Sequence, residues 1–309
     1  MGLDFFNIYV TMSYLEVNMV QKSKGIFYII LSSVLFGMMP LLARIAYSHN
    51  SNAYMVAFLR FAFGSLFLLL WGRKKLFVIK RNELYTFMKL SVPYALTPIF
   101  LYLSYNYIDG GTATTLHFTY PIIVMLMMFL IKKTITIRQL MCASLAGGGL
   151  VLLYSPSSHS SLLGNGIAIF SGFIYAIYIV MLGRSQLKHL SSLVTAFWVS
   201  LFSAIEIGGI AFMQGQFTLS FSLEGWLVQI LMGLLATTLA LMLFQKGLLL
   251  CGEIKASMFS TFEPITGLLI GAIFQGEGLS LVEMCGILLI LLSVIVLVLP
   301  MPQYIRKSA

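Results

Sequence analysis

Apolar stretches of about 20 residues follow one another from residue 24 to residue 300, broken only by short polar gaps, and this pattern decides the fold class. The hydrocarbon core of a bilayer is about 30 Å thick and a helix rises 1.5 Å per residue, so a stretch of that length is one crossing. Ten can be drawn, over 24–47, 53–72, 89–108, 111–131, 136–154, 163–183, 190–213, 223–246, 253–275 and 280–300. Charged residues make up 9% of the 309, against roughly one-quarter in a soluble globular chain. The fold expected is therefore an all-α polytopic membrane protein of ten transmembrane helices. The longest polar stretch, 73–88, is too short for a core of its own. Pro40-Leu41-Leu42-Ala43-Arg44 runs on from the first segment without a small-residue cleavage site, so that segment reads as a helix and not a removed signal. Residues 1–23 read as a loose N-terminal tail, with Met19 as an alternative start, and 301–309 as a cytoplasmic C-terminal tail.

The net charge of +9 raises the question of nucleic acid, but its distribution answers to membrane orientation. Basic residues gather on the cytoplasmic side of short loops. With the N-terminus inside, the inner segments hold Lys22, Lys24, Arg73, Lys74, Lys75, Lys80, Arg81, Lys89, Lys132, Lys133, Arg138, Arg184, Lys188, Lys246, Lys255, Arg306 and Lys307, which is 17 of the 19. The outer loops 48–52, 109–110, 155–162, 214–222 and 276–279 hold none. Both termini are expected in the cytoplasm of a cell that keeps this chain in its inner or plasma membrane.

The chain also repeats itself. With Pro121 set on Pro264, an offset of 143, Leu140-Met141-Cys142-Ala143 falls on Glu283-Met284-Cys285-Gly286, Ala113 on Ala256 and Tyr120 on Glu263. Two five-helix halves, 24–154 and 163–300, must be inverted relative to one another because five is odd. The loop charges reverse accordingly: Lys132-Lys133-Thr134 aligns with Gln275-Gly276-Glu277.

The second half, through Phe244-Gln245-Lys246-Gly247-Leu248, Ala256-Ser257, Phe262-Glu263-Pro264 and Gly276-Glu277, resembles an EamA-type permease of the drug/metabolite transporter superfamily. The first half resembles it through Tyr105-Asn106-Tyr107, Ala113, Tyr120-Pro121 and Gly147-Gly148-Gly149. Many halves in that family close the fourth helix with an acid. Here the first half has Lys133-Thr134, so that acid is available only at Glu277. The resemblance implies ten helices, an inverted five-helix repeat and carrier-type transport of small metabolites.

Ionisable groups inside a membrane are costly and mark paths or partners. Glu263 lies ten residues into the ninth segment, about 15 Å deep, and Tyr120 reaches a matching depth from the other face. His117 and Tyr120 share a helix face, as do their repeat partners Ser260 and Glu263. Pro121 and Pro264 break these helices and leave the carbonyls of His117 and Ser260 without a donor, beside a midplane site of the kind repeat-based transporters use. The plainer reading is two kinks satisfied by neighbouring helices or water. Arg60 and Glu206 either pair structurally or line the path. Arg44, near a helix end, reads as snorkelling to the interface. Tyr175, Tyr178, Trp198 and Phe262 offer stacking surfaces, with core packing or lipid contact as the ordinary role.

No His-Glu-x-x-His or Gly-x-Ser-x-Gly occurs, and Glu253 stands where a phosphate loop after Gly247 needs lysine, so no enzyme is expected. Gly147-Gly148-Gly149 and Gly267-x-x-x-Gly271 read as close helix packing. Cys142, Cys251 and Cys285 lack metal-type spacing, so no metal, disulfide or cofactor is expected. The function expected is a secondary transporter of a small metabolite or drug-like solute, alternating access around the midplane. The alternative is a non-transporting membrane protein: a structural subunit, sensor or lipid scramblase. The partners are a small-molecule substrate and the bilayer, with no nucleic acid and a homodimer left open.

Overall fold

The computed structural model describes residues 2–154, 161–275 and 280–298. The expectations for Gly276-Glu277, for most of the loop 155–162 and for the C-terminal tail lie outside these residues. All elements among the described residues are helical. In the first half they are α1 (Gly2–Gly37), α2 (Met39–Ser48), α3 (Ala53–Gly72), α4 (Arg81–Ser104), α5 (Gly110–His117), α6 (Tyr120–Lys132) and α7 (Ile137–Leu153). In the second half they are α8 (Leu162–Arg184), α9 (Ser192–Met213), α10 (Leu223–Met232), α11 (Leu241–Cys251), α12 (Glu253–Phe259), α13 (Phe262–Gln275) and α14 (Leu281–Val298).

Residues 2–23 do not form the loose tail expected. They continue α1, since no proline or glycine interrupts the chain between Gly2 and Gly25. The chain is instead interrupted at Met38, beside Pro40, within the first apolar segment. α4 carries Pro93 and Pro98. Between α10 and α11 the helix widens to a π-helical stretch over Gly233–Ala240. A widened turn leaves carbonyls poorly served, and in lipid they must be satisfied by the protein itself. Thr238 Oγ1 lies 3.1 Å from the Gly233 carbonyl and 3.2 Å from that of Gly64, and Ser32 Oγ donates to the Ala240 carbonyl at 2.7 Å.

Seven spans among the described residues are long and apolar enough to cross a membrane: Val20–Ser48, Ala53–Phe77, Gly110–Lys132, Leu162–Arg184, Ser192–Met213, Leu223–Cys251 and Glu253–Phe274. Ile137–Leu153 and Leu281–Leu297 are apolar but shorter. α4 has 24 residues, with Arg81, Glu83 and Lys89 in its first turns. The chain is thus a multi-pass membrane protein. Leu70, Trp71, Leu162, Phe212, Met213 and Leu281 on its outside are each more than half exposed, the surface a lipid environment solvates.

Lipid tails are as apolar as leucine, so helices associate through close packing and hydrogen bonds instead of hydrophobic exclusion. α7 lies along α14. A Cβ on Gly149 would stand 2.7 Å from the Gly286 carbonyl oxygen, and one on Gly286 would stand 2.9 Å from that of Gly149. Ser293 Oγ donates to the Cys142 carbonyl at 2.8 Å, and Arg138 Nε to that of Val296 at 2.5 Å, along the same seam. α1 meets α11 through Gly25 and Gly247, whose backbones touch in the same way. α3 packs on α9, α4 on α8 and on α9, α1 on α13, and α6 on α8. Gly149→Val is expected to destabilise the protein by about 1–3 kcal/mol, as overpacking does. Gly148→Val is expected to be nearly neutral, because its Cβ meets only Leu289 Cδ1 at 3.8 Å. Thermal unfolding in detergent compares the two, and equal melting temperatures would refute this account of the seam.

The end of the molecule rich in Arg73, Lys74 and Lys75 is held by polar contacts. The 3₁₀ turn Arg73–Phe77 offers the Leu76 carbonyl to Trp198 Nε1, which donates at 2.8 Å. Glu83 caps its own helix: one carboxylate oxygen accepts the Lys80 N–H at 2.7 Å, and the other lies 2.7 Å from His189 Nε2. The Lys80 amide, and after it His189, hold the Glu83 carboxyl below the usual carboxylate range. A lowered folded value means that the ionised form stabilises the fold above the ordinary carboxylate pKa, and that this is lost as pH falls through the lowered one. Glu83→Gln should therefore melt lower than the parent at pH 7. The difference should shrink as pH falls below about 4, in the ordinary carboxylate range. Melting curves across pH check this, and a deficit independent of pH would overturn it.

Candidate functional site

Two helices are broken at their middles, and for one reason. Proline has no N–H to give the carbonyl four residues back, and its ring crowds that carbonyl. α5 stops at His117, Phe118 and Thr119 form a turn, and α6 starts at Tyr120 with Pro121 next. α12 stops at Phe259, Ser260 and Thr261 turn, and α13 starts at Phe262 with Glu263 and Pro264 following. Local hydroxyls serve the breaks. Thr119 Oγ1 donates to Leu116 at 2.9 Å, Ser260 Oγ to Ala256 at 2.8 Å and Thr261 Oγ1 to Met258 at 2.6 Å, each to a carbonyl oxygen.

Ser260 is consequently not the open group expected. Its carbonyl accepts the Glu263 N–H at 2.9 Å and its hydroxyl hydrogen goes to Ala256, because a tight turn restores locally what the proline removes. The His117 carbonyl faces Gly172 of α8, so closely that any Cβ there would collide with it. The His117 ring is fixed from the same helix, with Nδ1 at 2.8 Å from Ser171 Oγ. Ser171 spends its own hydrogen on the Ala168 carbonyl at 2.6 Å, so Nδ1 carries the proton and donates.

At the breaks lies a small cavity of about 40 Å³, bounded by Phe36, Met39, Arg60, Tyr94, Thr97, Pro98, Leu101, His117, Tyr175 and Glu263. Arg60 is 3% exposed. Its Nη1 points at Met39 Sδ at 3.3 Å, its Cζ stands 4.3 Å from the centre of the Phe61 ring, and its Nε has no partner. No carboxylate among the described residues comes within 4.0 Å of it. Tyr120 is fully buried, and its hydroxyl lies beside Ser260.

A second and much larger cavity, of about 820 Å³, adjoins the first, since Glu263 borders one and Pro264 the other. Its walls include Pro40, Arg44, Tyr47, Tyr105, the run Tyr107–Thr112, Thr114, Thr115, Gly267, Gly271 and Glu283. Gly267 and Gly271, expected to pack helices closely, line this vestibule, and a Cβ on Gly267 would stand 3.7 Å from the Gly37 carbonyl oxygen of α1. Arg44 lines it as well, although its position near a helix end suggested the lipid interface.

The structure brings Glu263, His117 and Arg60 together around one space and packs Tyr120 on its edge, with ring centres 5.4 Å from His117 and 4.8 Å from Tyr175. It takes others elsewhere. Glu206 does not pair with Arg60; it accepts a 2.6 Å hydrogen bond from Ser91 on the seam of α4 and α9, because α3 turns Arg60 toward α2 instead. Trp198 stacks on Phe87 at 6.4 Å and anchors Leu76, away from either cavity. Tyr178 stands behind the wall, 4.5 Å from the Tyr94 ring centre, its hydroxyl accepting from Gln245 at 2.9 Å. Tyr94, Thr97 and Met39 were not singled out from sequence. The signal for the first two was Pro93 and Pro98 within one apolar segment, and for Met39 the adjacent Pro40.

A broken-helix pair around a buried, charged cavity is the architecture of a membrane carrier, and comparison with known proteins agrees. The chain matches the EamA-like transporter family over residues 23–155 and again over 162–299. It belongs to that family. It is similar to an "Uncharacterized transporter" of Archaeoglobus fulgidus, 25% identical over 268 residues, covering 87% of this chain and 94% of the relative. It is also similar to the "Uncharacterized inner membrane transporter YicL" of Salmonella typhimurium, 28% identical over 301 residues, covering 92% and 98%. A solved structure described only as "Crystal structure of protein" shares the fold, with a TM-score of 0.73 at 13% identity over 89% of this chain and 97% of that one.

Proposed function

We propose that this protein is a secondary transporter that moves a small metabolite or drug-like solute by alternating access around the cavity between Arg60 and Glu263. The carrying observation is that cavity. A structural subunit, sensor or other scaffold has reason to pair its buried charges internally, since an unpaired buried ion is costly. Here the buried Arg60 and the half-buried Glu263 border one space without meeting within 4.0 Å, and a larger cavity lies beside it at Pro264.

The arrangement proposed is ten crossings as two inverted five-helix repeats, 24–154 and 163–300. The double family match supports it. So does the packing: α1 lies on α11 as α8 lies on α4, and α1 lies on α13 as α8 lies on α6. The pairs α3 with α9 and α7 with α14 each map onto themselves when the halves are exchanged. Both termini are proposed to be cytoplasmic, in the cell's inner or plasma membrane, from the placement of 17 of 19 basic residues. In that topology Asp109 and Glu283 set the vestibule on the outer side.

Single cysteines at Ser158 and Ser185, on a background lacking Cys142, Cys251 and Cys285, should label with an impermeant thiol reagent from outside and inside respectively. Labelling of both from one side would refute the topology. Glu263→Gln keeps shape and removes charge. It should depress solute uptake in proteoliposomes roughly 10–100-fold, the equivalent of one lost charge-assisted contact, with expression and melting temperature nearly unchanged. Unaltered transport at every pH would remove Glu263 from the site.

A further inference from the structure

Two histidine–carboxylate pairs join the proposed halves, one at each end of the bundle. At the end that carries Arg73, Lys74 and Lys75, His189 Nε2 lies 2.7 Å from Glu83 Oε1. At the opposite end, His49 Nε2 lies 3.6 Å from Glu224 Oε2. Exchange of the halves carries one pair onto the other. His49 and His189 are 140 residues apart, and Glu83 and Glu224 are 141 apart. These values fall between the offset of 139 for the starts of α3 and α9 and that of 142 for the starts of α4 and α10. The first half supplies the histidine of one pair and the carboxylate of the other.

The two pairs are not in the same state. His189 Nδ1 stands 2.9 Å from the Gln186 carbonyl oxygen, and its Nε2 faces the Glu83 carboxylate. Carbonyl and carboxylate oxygens only accept, so both ring nitrogens donate and the arrangement is complete with the ring as a cation. The Glu83 side chain is 10% exposed. His49 Nδ1 instead lies 2.8 Å from Ser222 Oγ, which accepts the Gly225 N–H and has its own hydrogen to give. A neutral His49 satisfies that contact, and Glu224 is 73% exposed.

We infer that these pairs are proton-operated latches, in which a protonated histidine closes its own face of the membrane and a neutral one releases it. This rests on the transporter reading and the inverted repeat proposed with it, and names what regulates that transporter. When access switches in an inverted repeat, the two ends exchange conformations. The difference between equivalent contacts at the two ends is then the change that each undergoes. The vestibule, lined by Arg44 and Tyr47 of α2, lies at the end of the loose pair, and the tight pair holds the other end. A proton shifts such an equilibrium by binding one state more tightly, and a charge-assisted bond made only at the closed end supplies that difference. Histidine is the side chain that ordinarily changes charge between pH 5 and 8. His189 meets Glu83 of α4, with the charge of Lys80 beside that carboxylate and Lys188 next in the chain. His49 meets Glu224 of α10, with Arg44 on its own helix. Other bonds between the halves at these ends, from Trp198 Nε1 to the Leu76 carbonyl and from Asn52 Nδ2 to that of Gln216, involve no group that titrates in this range. None of the four latch residues lines either cavity, so pH acts here on access and not on the solute. Acid outside closes the outer face while a neutral cytoplasm frees the inner one.

The test uses the full-length protein, freed of Cys142, Cys251 and Cys285, in proteoliposomes. One thiol is placed in the vestibule by Gly267→Cys, where a Cβ meets only the Gly37 carbonyl oxygen at 3.7 Å. An impermeant thiol reagent outside reaches the molecules whose vestibule faces outward, and for these the lumen takes the place of the cytoplasm. The outer pH is held constant while the luminal pH is lowered from about 7.5 to about 5.5, across the range of histidine. Labelling should become about two- to fivefold faster, the scale of one partly exposed ion pair. His189→Gln and Glu83→Gln should each lose this dependence, and His189→Arg should keep the fast rate at both values. If Glu83→Gln unfolds, the two His189 variants decide. With the luminal pH held constant, acid outside should slow labelling more in the parent than in His49→Gln, a comparison that cancels the ionisation of the thiol itself. Labelling indifferent to luminal pH, or equally dependent on it in His189→Gln, would overturn the latches. No solute enters this readout, so that result leaves the carrier reading standing on the uptake test of Glu263→Gln.

Discussion

The constraint on which the rest depends is the absence of water from the hydrocarbon core. There a backbone carbonyl without a donor has nothing outside the protein to turn to, so a helix can be broken only where protein or a cavity receives the break. Pro121 and Pro264 impose such breaks, and both fall inside the bundle. Each is capped by hydroxyls of its own turn, from Thr119, Ser260 and Thr261. The breaks take two residues out of regular helix in each of the two halves. The space between them is the cavity that Arg60, His117 and Glu263 border.

Close approach of helices is the second consequence of the same environment. With no hydrophobic force between helices in lipid, contact area and short polar bonds hold the bundle. Glycines stand where backbones touch, at Gly149 against Gly286 and at Gly25 against Gly247. Hydroxyls cross the seams, from Ser293 to Cys142 and from Ser32 to Ala240. These seams are tight, whereas the smaller cavity lies at the broken helices.

Much of the fold was legible in the sequence. Apolar runs, short breaks and the lack of a soluble remainder define a polytopic helical chain, and the family match agrees. The positions of the two breaks were legible because proline acts on its own backbone. Where sequence reasoning went wrong, non-local or compensating structure was the reason. Ser260 was expected to offer a free carbonyl, but a tight turn returned it to Glu263. Residues 2–23 were expected to be loose, but helix continues through them where no residue stops it. Glu206 and Arg60 were read as a possible pair and point to different neighbours, since position along a helix carries no information about rotation around its axis.

The sequence by itself determined the class, the solvent, the breaks and the fact that an acid would sit in the membrane at Glu263. Those are properties of single segments: hydropathy, helical rise and the chemistry of proline. Only the tertiary structure decided which charge faces Glu263, that Tyr94 and Tyr175 wall the space, and that Trp198 and Glu206 do not. Such choices depend on how helices distant in sequence are turned toward one another. That rotation is set by the glycine contacts and cross-seam hydrogen bonds of the assembled bundle, which no single segment contains.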